Sequence, residues 1–312
     1  MRSLRDAFFF AVTVGLSPRL KASATRWRSS LERLRIVLVT TFALVAFAFN
    51  SILCRMALRA GEADAAGFTA VRLMSGAVAL ILLSYFFSKG KGSNTIGGNW
   101  FSAFFLFAYA ICFSFAYVGL TAASGALILF SSVQFTMIAV ALFRGERPGA
   151  LEWIGLLVAL GGLVYLLLPG LSAPPLFASL LMAAAGIAWG FYTLRGKGSS
   201  DPLRDTTGNF IRAVPMIAIA AIPFLSQIKL SSRGIVLAIL SGAIASGVGY
   251  TVWYSALKHH TSTRAAVLQL AVPVIAAFGG VMLLSEVMTT RLLIAAVMIL
   301  GGIALTIAGR KA

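Results

Sequence analysis

The sequence predicts an all-α membrane protein whose ten transmembrane helices form two inverted five-helix repeats. Three observations lead there. The 312 residues are 59% hydrophobic and 11% charged, with a mean hydropathy of +0.93, whereas a soluble domain is about 45–50% apolar and about 25% charged. The apolar residues fall into about ten runs, each near the roughly 20 residues that one bilayer crossing needs. The phrase ERPGALEWIGLLVALGG, starting at Glu146, is answered 140 residues later by EVMTTRLLIAAVMILGG, starting at Glu286.

The runs lie near residues 36–57, 66–87, 98–120, 122–143, 151–168, 175–194, 207–227, 233–257, 264–284 and 290–309. They are long and apolar on all faces, unlike the roughly ten-residue alternating strands of a membrane barrel. The loops between them are short and leave no soluble domain.

A net charge of +17 would suggest a nucleic-acid partner in a soluble protein. In a membrane protein it marks cytoplasmic loops, so no nucleic-acid partner is expected. With the N-terminus inside, 19 of the 26 Lys and Arg residues fall on the cytoplasmic side. The exterior takes 5: Arg55, Arg59, Lys229, Arg233 and Arg291. Arg72 and Arg212 fall within spans. Both termini are therefore predicted to be cytoplasmic. Residues 1–35 read as a basic arm, an amphipathic helix on anionic lipid, with an organelle transit peptide as the alternative. Arg19 and Lys21 interrupt what would otherwise resemble a signal peptide. Cys54 and Cys112 sit inside spans as free thiols.

The 140-residue interval recurs. Arg55 maps to Arg195, Arg72 to Arg212, Thr121 to Thr261 and Ala126 to Ala266. One segment slips: YVGL at Tyr117 matches YSAL at Tyr254, which implies an insertion around Lys258, His259 and His260. The halves are residues 36–170 and 176–312. Five crossings each is an odd number, so the second half enters from the opposite face, an architecture common in secondary transporters. Glu146 and Glu286 each begin the last helix of a half, where an acid suits the positive N-terminus and Pro148 suits a first turn. The Gly pairs at 161–162 and 301–302 read as close packing through small residues.

This constellation resembles the drug/metabolite transporter superfamily, in its EamA-type branch. It is carried by the inverted five-plus-five repeat, a Glu before the last helix of each half, Pro273 thirteen residues before Glu286, and an Arg early in the second helix of each half. The resemblance covers essentially all of the chain after residue 35. It implies an inner-membrane exporter of amino acids or other small metabolites, with a cavity lined by helices one, three, four, six, eight and nine. One departure is that Val133 stands where the second half has Pro273, so only the ninth helix is expected to kink.

Polar groups inside lipid usually face the bundle interior or a water-filled path. The candidates for cavity lining are Asn50, Gln134, Trp189, Tyr192, Tyr250, Trp253 and Gln269. Their amides could hold the carboxylate and amine of a small zwitterion, and their rings could stack on its apolar body. The competing reading is that rings near span ends form an interfacial belt and that single amides join helices. Arg72 and Arg212 lie in the first turns of their helices. They read as structural or gating residues, snorkelling or pairing with backbone carbonyls; Glu146, Glu286 and Pro273 join them in that class. An anion carrier would instead require Arg72 or Arg212 in the cavity.

None of the nine acids sits mid-span, so no proton relay is evident. No phosphate-binding loop, HExxH or GxGD motif occurs, which argues against an ATP-driven pump or an intramembrane protease. The sequence predicts no enzyme, no cofactor and no metal site. The expected partners are a small-molecule substrate and the bilayer.

Overall fold

The computed structural model describes residues 18–87, 96–143, 145, 149–168, 170, 173–259 and 268–309. Among them the chain is helical. The one exception to helix and loop is an isolated antiparallel bridge between Ala63 and Leu230. The helices are α1 (Pro18–Arg59), α2 (Ala65–Phe87), α3 (Trp100–Gly119), α4 (Ala122–Phe143), α5 (Ala150–Leu167), α6 (Leu176–Gly196), α7 (Pro202–Ala220), α8 (Ser232–Leu257), α9 (Ala271–Leu284) and α10 (Thr290–Gly309).

Eight of these are long and apolar enough to cross a membrane, against the ten predicted: α1 over Ser30–Arg59, α2, α3, α4 over Ala122–Val140, α5, α6, α8 and α10. The two that fall short have physical reasons. Helix α7 begins earlier than predicted, because Asp201 accepts from the Arg204 amide and Pro202 occupies the first turn. That start brings Arg204 and Asp205 into the helix. A 3₁₀ turn over Ile222–Gln227 ends the run that the sequence assigned to lipid. Helix α9 is described over 14 residues, with Leu268 and Gln269 also helical before a break at Leu270, and residues 264–267 of the expected span lie outside the described residues. Pro273 sits in the first turn after that break, where a missing N–H does no harm.

Two further differences concern α1 and α8. Part of the predicted arm, from Pro18 onward, prolongs α1 without a break. No Gly or Pro follows Pro18 until Gly61, which ends the helix region with φ +67°, as a left-handed C-terminal glycine does. In α8, residues Leu240–Val248 form a π-helical segment. There the α8 backbone approaches α2 so closely that a Cβ on Gly242 would lie 2.0 Å from the Arg72 carbonyl oxygen. Such bulges favour functional positions.

Packing between the halves is reciprocal. Helix α3 packs on α6, and α8 on α1. Helix α4 packs on α6, and α9 on α1. Helix α2 packs on α8, and α7 on α3; α2 meets α7, α4 meets α9, and α5 meets α10. The α5–α10 contact uses one glycine of each predicted pair. A Cβ on Gly302 would lie 2.5 Å from the Ala159 amide nitrogen, and one on Gly162 would lie 2.7 Å from the Met298 Cβ. Gly301 faces open space, and Gly161 comes no nearer than 3.7 Å.

Gly302→Ala should therefore destabilise the protein by about 1–3 kcal/mol, because backbone cannot yield as a side chain can. Gly301→Ala should be neutral or slightly stabilising. Thermal midpoints of the two purified variants in detergent check this. Equal midpoints would mean that α5 and α10 do not dock through Gly302.

Candidate functional site

The interior of the bundle is built from side chains at helical spacing. Phe47 and Asn50 share a face of α1, Tyr109 and Phe113 of α3, Trp189 and Tyr192 of α6, and Ser246, Tyr250 and Trp253 of α8; all are buried. Three- and four-residue spacing places each set on one helix stripe. The stripes converge on a small cavity of about 10 Å³ lined by Phe47, Asn50, Tyr109, Phe113, Leu129, Phe130, Trp189 and Tyr250. The lining thus comes from α1, α3, α4, α6 and α8.

The rings interlock edge to face and tilted. Trp189 lies 4.5 Å from Tyr250, 5.0 Å from Tyr109 and 5.8 Å from Phe47 between centroids. Phe47 also meets Trp253 at 5.6 Å. These are the separations and angles that ring quadrupoles favour.

A hydrogen-bond network runs through the same centre. The Asn50 Nδ2 donates to the Tyr109 hydroxyl at 2.9 Å, and its Oδ1 accepts from Ser241 at 2.5 Å. Arg72 donates through Nη2 to the Tyr109 hydroxyl at 2.9 Å and to the Tyr250 hydroxyl at 3.0 Å, and through Nε to Ser246 at 3.2 Å. Tyr250 also donates to Tyr109 at 3.2 Å. Arg72 is 1% exposed. Its guanidinium carbon stands 4.8 Å from the Phe113 ring centre and 5.1 Å from that of Tyr109.

From Trp189 the aromatic path continues to Tyr192, 5.4 Å away, and to a second cavity of about 110 Å³ lined among others by Asn99, Ser102, Tyr192, Arg195, Asp205 and Asn209. Arg195 crosses it, donating to Ser102 and to the Asn99 Oδ1, both at 3.0 Å. Asp205 accepts from the Gly98 amide at 2.9 Å, and Asn209 accepts from the Asn99 amide at 3.0 Å. The opposite end is tied. Glu286 accepts from Arg55 Nε at 3.3 Å and from the Ala122 amide, at the start of α4, at 2.8 Å. Arg55 also donates to the Tyr117 and Val118 carbonyls.

Of the seven cavity residues named from sequence, Asn50, Trp189 and Tyr250 meet at the central cavity. Tyr192 lines the second one, and Trp253 backs Phe47. Gln134 and Gln269 are buried at 3% and 2% exposure but line neither cavity; the Gln134 Nε2 and Gln269 Oε1 have no partner. Glu286 lies in the loop before α10 and caps α4, in the other half, rather than the helix it precedes. Glu146 lies outside the described residues. Arg212 does bond two backbone carbonyls, of Gly97 at 2.7 Å and Gly208 at 2.9 Å; Arg72 bonds none. Tyr109, at the hub of the network, was not among the seven. Its signal was present in the i, i+4, i+8 aromatic stripe Tyr109–Phe113–Tyr117.

The profile of the EamA-like transporter family matches residues 34–168 and, separately, 176–308. The chain belongs to that family. This EamA-like protein is a membrane transporter rather than an enzyme. It is 49% identical over 276 residues to an uncharacterized protein of Pseudomonas aeruginosa, covering 88% of this chain and 96% of that one. It is 25% identical over 220 residues to a probable amino-acid metabolite efflux pump of Escherichia coli, covering 65% and 73%. Its fold is similar to a solved crystal structure at 19% identity and a TM-score of 0.63, covering 90% of this chain and 100% of that one.

Within this transporter the Asn50–Tyr109 bond should carry measurable coupling. A double-mutant cycle of Asn50→Ala and Tyr109→Phe, read from unfolding free energies in detergent, should give about 0.6–1.7 kcal/mol, as intramembrane hydrogen bonds do. Simple additivity would mean the two side chains do not meet.

Proposed function

We infer that this protein exports a small neutral or zwitterionic metabolite, such as an amino acid, by alternating access across a bacterial inner membrane. The reading rests on one observation above the others. The aromatic and amide-lined centre lies where the two family-matched segments meet, with one end tied by Arg55 and Glu286 and the other continuing into the cleft crossed by Arg195.

The halves, 36–170 and 176–312, are related by an axis in the membrane plane, with both termini cytoplasmic and residues 1–35 preceding the first half. The packing partners of each helix exchange when the halves exchange, which supports a two-fold relation. One thing supports the inversion besides the odd number of crossings. Arg55 and Arg195, equivalent in the repeat, reach opposite groups of loops: Arg55 the carbonyls at the end of α3, Arg195 the residues at its start. An inverted pair lets one sequence pattern serve each face in turn.

In this conformation the centre holds the volume of about one water molecule. Cargo enters only as the rings part. The amide and hydroxyl groups orient it, and the faces of Trp189, Tyr250 and Phe47 cover its apolar portion. Amino-acid cargo is supported by the similarity to the probable amino-acid metabolite efflux pump of Escherichia coli.

Accessibility tests the topology. In a Cys54→Ala, Cys112→Ala background, Arg147→Cys should react with an impermeant thiol reagent from the cytoplasm and Arg291→Cys from the exterior. Labelling of both from one face would end the inverted-repeat reading. Counterflow of labelled amino acids in proteoliposomes tests the mechanism. In the same background, Arg55→Cys with Glu286→Cys, bridged by a short reducible bifunctional thiol reagent, should lower counterflow to the protein-free rate, and reductant should restore it. Undiminished counterflow with the bridge in place would show that this end need not open.

A further inference from the structure

We propose that Arg72 anchors an oxyanion of the transported molecule, a carboxylate, and that the amine of an amino acid is dispensable for binding. This rests on the transport reading only for the identity of the ligand as cargo; the anion site itself follows from the geometry.

Arginine stays charged at any pH the protein meets, because its guanidinium does not deprotonate in proteins. A buried cation therefore needs compensation. Arg55 pairs with Glu286 and Arg233 with Glu62, whereas Arg72 faces no carboxylate among the described residues. Its partners are neutral: two tyrosine hydroxyls, one serine and two ring faces. Its Nη1 is buried without a hydrogen-bond partner. The repeat-equivalent Arg212 shows what a structural arginine looks like here. It is partly exposed and satisfied by two carbonyls.

The surroundings are rich in donors and poor in acceptors. Asn50 Nδ2, Arg72 Nη2 and the Tyr250 hydroxyl all converge on the single hydroxyl oxygen of Tyr109, at 2.9, 2.9 and 3.2 Å. Asn50 and Arg72 Nη2 alone fill its two lone pairs, so Tyr109 has no capacity left for the unpartnered Arg72 Nη1. An oxyanion accepts several such bonds and also answers the charge, and arginine matches the two oxygens of a carboxylate. Tyr109 and Tyr250 stand between Arg72 and the central cavity, which they line. A carboxylate entering from the cavity meets both hydroxyls and then the guanidinium.

At the far wall there is no matching acid. The cavity lining contains no carboxylate. An ammonium finds ring faces and the Asn50 amide there, but no opposite charge to answer its own. The site therefore recognises a carboxylate joined to an apolar body.

The experiment measures ligand-dependent thermal stabilisation of purified wild-type protein. A panel of amino acids is followed, for the best binder, by its primary amide and its deaminated acid. The acid and the deaminated acid should bind at least tenfold more tightly than the amide. Arg72→Gln should abolish that preference while leaving amide affinity within about twofold, and Arg72→Lys should keep part of it. An arginine that only braced Tyr109 and Tyr250 would weaken acid and amide alike. Amides binding as well as acids to wild type, or an unchanged acid preference in Arg72→Gln, would overturn the proposal. If Arg72→Gln does not fold, the wild-type acid-to-amide ratio decides alone. Carboxylate binding without counterflow in vesicles would sink the transport reading and leave the anion site standing. A panel in which nothing binds would sink both.

Discussion

Lipid offers no hydrogen bonds, and that one constraint orders the molecule. Every backbone amide within the bilayer must be satisfied inside its own segment, which makes the chain helical. Association then cannot rely on hiding apolar surface, since lipid tails are as apolar as Leu. It relies on close contact, as at Gly155, Gly162 and Gly302 between α5 and α10, and on polar side chains that find one another. The same constraint gathers Asn50, Arg72, Tyr109, Ser241, Ser246 and Tyr250 into one connected centre. Each would be costly facing lipid, and each is partnered there.

Much of this was legible in the sequence, because hydropathy and repetition are properties of many residues at once. The helical class and the limits of most spans follow from composition alone. What escaped depends on one or two residues acting through the fold. Asp201 and Pro202 start α7 early and turn an apparent span into a partly polar helix. The π-helical stretch of α8 follows from the approach of Gly242 to the α2 backbone, a tertiary fact with no local pattern. Pro273 reads as a kink within the ninth span, and it lies in the first turn of Ala271–Leu284, just after a break at Leu270. Of the polar residues singled out, Asn50, Trp189 and Tyr250 meet because they lie on the stripes that face the centre. Gln134 and Gln269 are as buried but line neither cavity. Polarity marks a residue as interior, while only helix rotation decides which neighbours it has.

The repeat also shows how equivalent positions diverge. Arg72 and Arg212 occupy the same place in their halves, and their symmetry favours one shared structural role. Their environments differ instead. Arg212 lies against the Gly97 carbonyl at the start of α3, while Arg72 points into tyrosines contributed by α3 and α8. Repetition preserves the pattern of helix contacts and leaves side chains free to specialise. One arginine can then keep a structural task while its counterpart faces the centre.

The tie at Glu286 joins the two halves through a largely covered ion pair. The Arg55 and Glu286 side chains keep only 14% and 6% of their surface exposed, so each charge depends mainly on the other and on its protein hydrogen bonds rather than on water. The second bond of Glu286, to the Ala122 amide, adds the attraction of a helix N-terminus for negative charge, about 0.3–1 kcal/mol. The Arg55 bonds to the Tyr117 and Val118 carbonyls bring the end of α3 into the same knot. Removing one partner of so covered a pair is costly, because the remaining charge is left poorly answered. At this edge of the membrane water can solvate Arg55, Glu286 and the freed Ala122 amide as they separate. The knot therefore holds the start of α4, the end of α3 and the end of α1 together at this end, and it can part only where water replaces all of its bonds at once.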